Sequence, residues 1–281
     1  MAIRGSGAHG KDRSRSTFLA ISVACTILVT PTRAAECPRG NFEPWLEGFK
    51  QQAVAEGISQ RTIAAALNGV TADPSVISRD RSQMVLQQSF EQFSSRMVSS
   101  DRLRKGANML KRYGSVLERI EARFGVPAPV LIAIWGLETD FGVNQGRFST
   151  IRSLATLAYD CRRPETFRAE LLEALRIIDR GDLTPSEMRG AWAGEIGQTQ
   201  LLPSSYVKFA VDVDGNGHRD LIHSTPNALA SAANYLKAYG WQRDQAWTPG
   251  SANSDVLKKW NASEVYTETI AYFASRLAQE P

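Results

Sequence analysis

Histidine and cysteine are scarce in this 281-residue chain, with three of each. That scarcity removes several chemistries at once. Beyond the N-terminal leader discussed below, only His218 and His223 remain. A serine or cysteine triad needs a histidine beside its nucleophile, and hydrolytic metal sites draw on histidines at ligand spacing. Neither pattern is present. No glycine-rich run precedes a helical segment in the manner that cradles phosphate, and no internal repeat is visible. Strand signals are sparse as well. At 43% hydrophobic and 22% charged residues, the composition suits one large or two smaller globular domains.

An apolar run long enough to span a bilayer is also missing near the N-terminus. "FLAISVACTILV" has 12 residues, too few for a membrane helix. It follows Arg4, Lys11, Arg13 and Arg15 and precedes the small-residue stretch "TPTRAA". Basic head, short apolar middle and small-residue end describe a secretory signal over residues 1–35. The mature protein is then expected to be periplasmic, with no integral membrane span. A lipoprotein signal at Cys25 fits poorly, because Ser22 stands where a branched residue is wanted and the apolar run continues past the cysteine.

The leader also carries most of the charge asymmetry. Residues 1–35 hold five of the 33 basic residues and one of the 29 acids, leaving 28 of each. The pI near 9.0 therefore belongs largely to the leader and gives no reason to expect nucleic-acid binding. Removal of Cys25 leaves Cys37 and Cys161, a pair with one intramolecular connectivity in an exported protein. A Cys37–Cys161 disulfide would close a long loop, worth about 4–5 kcal/mol in the chain-entropy account.

What is abundant is helical punctuation. "EPWLEGFKQQAVAEG" and "SQRTIAAALNG" read as short helices closed by Gly57 and Gly69, the second capped by Ser59. "RDRSQMVLQQSFEQFSSRMV" sets Met84, Val85, Phe90 and Phe93 at helical spacing. "ANMLKRYGSVLERIEARFG" reads as one amphipathic helix ending at Gly125. "RPETFRAELLEALRIIDRGD" is another, with Phe167, Leu171, Leu175 and Ile178 facing inward. "TPSEM" carries a capping box, Thr184 to Glu187, and predicts a helix start. "TPNALASAANYLKAYG" repeats that grammar from Thr225 to Gly240. The fold is expected to be mainly α, with at most a small sheet.

Carboxylates, amides and aromatics are the remaining chemical material, and they suit a carbohydrate site. In "PVLIAIWGLETDFG", an uncharged run from Val130 to Leu137 leads directly into Glu138. Residue types alone leave two readings open, an exposed helix-end acid or a carboxyl kept protonated by dry surroundings. Further on, "AWAGEIGQTQLLPSSY" packs Trp192, Gly194, Gly197, Gln198, Gln200 and Pro203 into a segment without period, as a shaped loop lining a cleft would.

"GLETDFG", "WAGEIGQTQLLPSSY" and "ALASAANYLKAYGW", in this order, resemble the lytic murein transglycosylases of the membrane-bound lytic transglycosylase B type. The likeness runs through most of residues 36–281. It implies an α+β lysozyme-like fold with an added helical subdomain over residues 36–110. It implies Glu138 as the sole catalytic acid and base. Gln198, Gln200, Tyr235, Trp260, Asn261 and Tyr266 match the family's glycan-binding positions. The implied substrate is the glycan strand of peptidoglycan, cleaved between N-acetylmuramic acid and N-acetylglucosamine with formation of a 1,6-anhydro end. No cofactor is required, and the protein is expected to be monomeric.

Some positions depart from the pattern. Trp260 stands where tyrosine is common, Ala191 where relatives carry a serine beside the glutamate, and Leu201 where an aromatic is usual. Asp140 lies too close to Glu138 to face it across a sugar ring, and Glu195 has no counterpart role in the family. "DVDGNGHRDLIH" has the alternating Asp212, Asp214 and Asn216, then His218, of a calcium loop, but His223 and Asn227 stand where a closing acid belongs. At most weak calcium binding is expected there, with a hydrogen-bonded turn as the alternative. A hydrolytic muramidase and a non-catalytic wall-binding protein are the rival readings of the whole.

Overall fold

The computed structural model describes residues 41–82 and 88–279. The expected leader, Cys37, Met84 and Val85 lie outside the described residues. Thirteen helices account for most of the remainder. They are α1 (Phe42–Ala55), α2 (Gln60–Leu67), α3 (Pro74–Arg81), α4 (Phe90–Met97), α5 (Ser100–Arg112), α6 (Gly114–Phe124) and α7 (Ala128–Thr139), then α8 (Thr150–Tyr159), α9 (Pro164–Asp179), α10 (Pro203–Phe209), α11 (Thr225–Ala238), α12 (Ala252–Trp260) and α13 (Glu264–Ala278). Among the described residues the sheet is one antiparallel pair, β1 (Phe148–Ser149) with β2 (Arg189–Gly190), Phe148 opposite Gly190. The mainly α, lysozyme-like expectation holds.

Short helices need their ends satisfied, and here side chains do it. Ser59, Asp73, Ser89, Ser99, Ser149, Ser224, Ser251 and Ser263 each accept a backbone N–H at a helix start. Each cap is worth about 1 kcal/mol. The cap of α11 is Ser224, one residue before the Thr225 expected from sequence.

Helix α7 is the centre. Val130 to Ile134 are fully buried, and Trp135 and Leu137 nearly so. A helix apolar on every side must be surrounded, and α7 is, by α5, α6, α11 and α13. Gly136 permits the closest approach: a Cβ there would come within 2.9 Å of both Phe141 and Phe273.

Two expectations about local structure fail for stated reasons. The stripe from Met109 to Phe124 is continuous in period but not in helix. Tyr113 ends α5 and begins α6 with φ −103° and ψ 15°. Its ring stands edge-on to Trp135 at 5.6 Å, and its hydroxyl reaches Thr225 at 3.4 Å. The two halves therefore bury one stripe against different partners, α5 on α7 and α13, α6 on α11. At Thr184 half of the capping box forms: Glu187 accepts from the Thr184 N–H and hydroxyl at 2.7 Å, while the Glu187 N–H donates to the Thr184 carbonyl and not to its hydroxyl. Only one turn follows, because Arg189 and Gly190 are taken by the strand pair.

Helices α1 to α3 lie on α8 and α9, whereas α4 and α5 lie on α13 and α7. The loop between α8 and α9 is fastened to α3 through buried Asp80, which pairs with Arg162 and Arg163 at 3.0 and 2.6 Å. No single helix among the described residues is long and apolar enough to cross a membrane.

Gly190 is the tightest point near the cleft, since a Cβ there would lie 1.6 Å from the Glu195 carbonyl oxygen. Backbone cannot yield as a side-chain tip can. Gly190→Ala should lower stability by about 3 kcal/mol, read as a reduced urea midpoint, while Gly48→Ala, which meets nothing, should leave it near wild type.

Candidate active site

The end of α7 is abrupt. Asp140, Phe141 and Gly142 follow one another in the left-handed region, with φ 50°, 62° and 83°. For two non-glycine residues in succession this conformation is uncommon and costs free energy. The surroundings hold it: Phe141 is buried, Asp140 pairs with Arg102 at 3.4 Å and Lys105 at 3.2 Å, and the Gly142 N–H donates to the Thr139 hydroxyl. The Thr139 hydroxyl in turn donates to the Gln198 carbonyl at 2.6 Å. Asp140 thus has a structural occupation, and Glu138 is left as the last-turn acid facing away from it into a cavity.

That cavity, of about 470 Å³, has Glu138 in its lining together with Tyr235, Trp260 and Asn261 from the C-terminal helices and Glu195, Gln200 and Leu201 from the loop before α10. Glu138 is half-buried. The indole N–H of Trp260 donates to its Oε1 at 2.9 Å, and the Tyr266 phenol hydrogen-bonds it as well. Burial pushes the Glu138 carboxyl up to about 7, with the charge of Glu195 adding to it and the Trp260 and Tyr266 hydrogen bonds pulling against it. The exposed-acid reading is thereby removed. Below about pH 7 this group holds a proton. The Tyr266 phenol is itself raised by burial and by the neighbouring carboxylate, so it stays a donor.

The other expected binding residues divide. Tyr235 is pinned by its hydroxyl to the Lys259 carbonyl at 2.5 Å, and its ring meets Trp260 edge-on at 5.1 Å. Gln200, at φ 52°, lines the cavity with its amide nitrogen fastened to the Gln145 and Gly197 carbonyls. Asn261 ends α12 and accepts the Ser263 N–H at 2.9 Å. Gln198 is different. Its side chain is buried, donating to the Ile222 carbonyl at 3.0 Å and accepting from the Thr225 hydroxyl at 3.1 Å. It stands behind the wall, binding the loop to the start of α11, and is not part of the lining. Trp260 supplies an N–H donor to Glu138, which its place in the sequence does not reveal. Glu195, Lys259, Leu202 and Ser205 line the cavity without having been singled out as contacts.

The calcium-like loop closes on itself. Asp212 accepts the Gly215 and Gly217 N–H groups at 2.8 Å, Asp214 accepts the Ser224 hydroxyl, and Asn216 accepts the His218 N–H. His218 turns to the Gly181 carbonyl, and Asn227 accepts the Val213 N–H. No group of three or more His, Cys, Asp or Glu able to hold a metal occurs among the described residues. Asp212, Asp214 and Asn216 are engaged by the loop's own N–H groups and by Ser224, which is the hydrogen-bonded turn of the two expectations.

The chain belongs to the transglycosylase SLT domain family, which matches residues 41–251. It is similar to membrane-bound lytic murein transglycosylase B of Escherichia coli (strain K12), 34% identical over 150 residues, 53% of this chain and 41% of that one. The matched stretch thus spans less than half of that relative. SltB3 from Pseudomonas aeruginosa, solved in complex with NAG-anhNAM-pentapeptide, is 33% identical with a TM-score of 0.82, over 85% of this chain and 80% of that one. Escherichia coli Slt35, solved in complex with calcium, shares the fold at 23% identity and a TM-score of 0.75, over 84% of this chain and 93% of that one.

Two predictions follow from this geometry. Trp260→Phe removes a donor to the Glu138 carboxylate, a bond to a charged group worth about 1.5–3 kcal/mol. The Glu138 midpoint in a ¹³C carboxyl NMR titration should move up by about 1–2 in pH; an unmoved midpoint would contradict the role given to the indole. For the loop at Asp212, neither millimolar calcium nor a chelator should displace Tm, whereas a rise with calcium would show a site.

Proposed function

We propose that this protein is an exported lytic transglycosylase acting on peptidoglycan glycan strands. The observation that carries the reading is Glu138, held by Trp260 at 2.9 Å in a polar cavity with its carboxyl raised to about 7. A carboxyl of that kind arrives protonated near neutral pH and is a competent base once the proton has gone. Glu138 protonates the oxygen leaving C1 of N-acetylmuramic acid, and the bond to N-acetylglucosamine breaks. The neighbouring acetamido oxygen stabilises the positive C1. The carboxylate then takes the proton of the muramyl 6-hydroxyl as that oxygen bonds to C1. Acid becomes acid again, no water is consumed, and the product is a 1,6-anhydro end.

In this reading Gln200, Tyr235, Trp260, Asn261 and Tyr266 hold the sugar rings and the glutamate, and Gln198 serves by fixing the loop that presents Gln200. The complex of SltB3 with NAG-anhNAM-pentapeptide supports an anhydro product for a protein of this fold. Export through residues 1–35, a Cys37–Cys161 bridge and a monomeric state belong to the same proposal. No step needs a metal.

Digestion of purified peptidoglycan with mass analysis of the fragments tests it. Anhydro ends are expected; fragments heavier by one water, with reducing ends, would make the protein a muramidase instead. Glu138→Gln should abolish cleavage while preserving the fold, and a variant as active as wild type would end the assignment. Wild-type activity should fall as pH rises through about 7, the protonated form being the active one.

The same raised pKa carries a stability signature. Between the unfolded value and about 7 the folded state binds more proton, so stability declines across that interval and is flat above it. Glu138→Gln removes the penalty. It should be more stable than wild type at pH 8, by up to about 3 kcal/mol, and gain nothing at pH 4. Urea unfolding at the two pH values measures this.

A further inference from the structure

A second carboxylate faces the same cavity. Glu195 lines it beside Glu138, half-buried, on a loop clamped by the bridges of Ile196 to Gly190 and Leu201. Its Oε2 accepts the Ala193 N–H at 3.1 Å, and its own N–H adds to that. No side chain among the described residues donates to it or forms an ion pair with it.

Other buried or half-buried acids of this protein are treated differently. Asp80 has Arg162 and Arg163, Asp182 has Arg180 at 2.6 Å and Arg219 at 3.5 Å, and Glu170 accepts both the N–H and the hydroxyl of Ser204. A desolvated carboxylate left short of donors is costly unless something else supplies them. The open side of Glu195 is the cavity.

We propose that Glu195 is a second functional carboxylate of this site, an anion that accepts a hydrogen bond from a hydroxyl or amide N–H of the bound amino sugar and whose field adds to burial in favouring the proton on Glu138. The substrate half of this statement rests on the glycan-cleaving reading above; the electrostatic half does not. Burial raises the Glu195 carboxyl, while backbone N–H groups and the Arg163 charge favour its anion and Glu170 opposes it. Lys259 is the cation in the cavity lining, and the Tyr235 and Tyr266 phenols are the other titratable groups there or in contact with Glu138, with Arg102 acting on Tyr266. Glu138 has the Trp260 and Tyr266 donors but no cation acting on it, and burial dominates its state, whereas backbone N–H groups and the Arg163 charge both favour the Glu195 anion; Glu195 therefore ionises first.

Wild-type protein with ¹³C-labelled glutamate carboxyls tests the order directly. Glu195 should titrate at lower pH than Glu138; the reverse order would overturn the proposal. In Glu195→Gln and Glu195→Ala the Glu138 midpoint should fall by about 0.5 in pH, the size expected for losing one nearby charge in a partly screened cavity. A midpoint unmoved in both, with folding intact, would overturn it as well. On peptidoglycan, KM should rise several-fold in Glu195→Ala and less in Glu195→Gln, which keeps an acceptor. Equal KM for wild type and both variants would remove the substrate contact. Were the wild type to release no anhydro fragments, the proposed function would fall, while the titration would still judge the coupling.

Discussion

Burial of α7 on every side is the constraint from which the rest follows. A helix with no polar face has to be enclosed, and enclosing it takes α5, α6, α11 and α13 together. That arrangement leaves one exit for the chain, at Thr139, and the exit is forced through three left-handed residues. Glu138 is therefore fixed at the boundary between a dry core and a cleft. Its position is a product of packing, and the chemistry inherits the rigidity of that packing.

The state of Glu138 is set by opposed influences, of which burial is the largest. Burial and Glu195 favour the neutral acid; the Trp260 and Tyr266 hydrogen bonds favour the anion. A purely apolar pocket would hold the proton so firmly that the group could not give it up. A fully hydrogen-bonded one would never carry it at neutral pH. The two aromatic donors come from α12 and α13, whereas the dry wall comes from α7, so the balance is struck between elements distant in sequence.

Much of this was legible beforehand, for physical reasons. An uncharged run ending in a carboxyl must choose between surface and core, and the aperiodic glycine- and glutamine-rich segment identified a shaped wall nearby. The helices announced themselves through serine caps and glycine stops. What the pattern concealed was direction. Gln198 and Gln200 look alike in sequence, yet the φ of 52° at Gln200 turns one toward the cavity while Gln198 is spent on Ile222 and Thr225. Tyr113 breaks a helix whose period is unbroken, because its ring and hydroxyl find partners on α7 and α11. Trp260 was legible as a glycan-binding position but not as a donor to Glu138, since only tertiary contact aims its nitrogen.

The bond from Trp260 to Glu138 joins residues 122 positions apart. A nascent chain that has completed α7 possesses the acid but none of the groups that tune it. The cleft comes into being only when α12 and α13 arrive, after the other eleven helices of the described residues. An unfinished or still-unfolded copy is in that sense chemically disarmed: the fold itself schedules when a carboxyl with a raised pKa first exists.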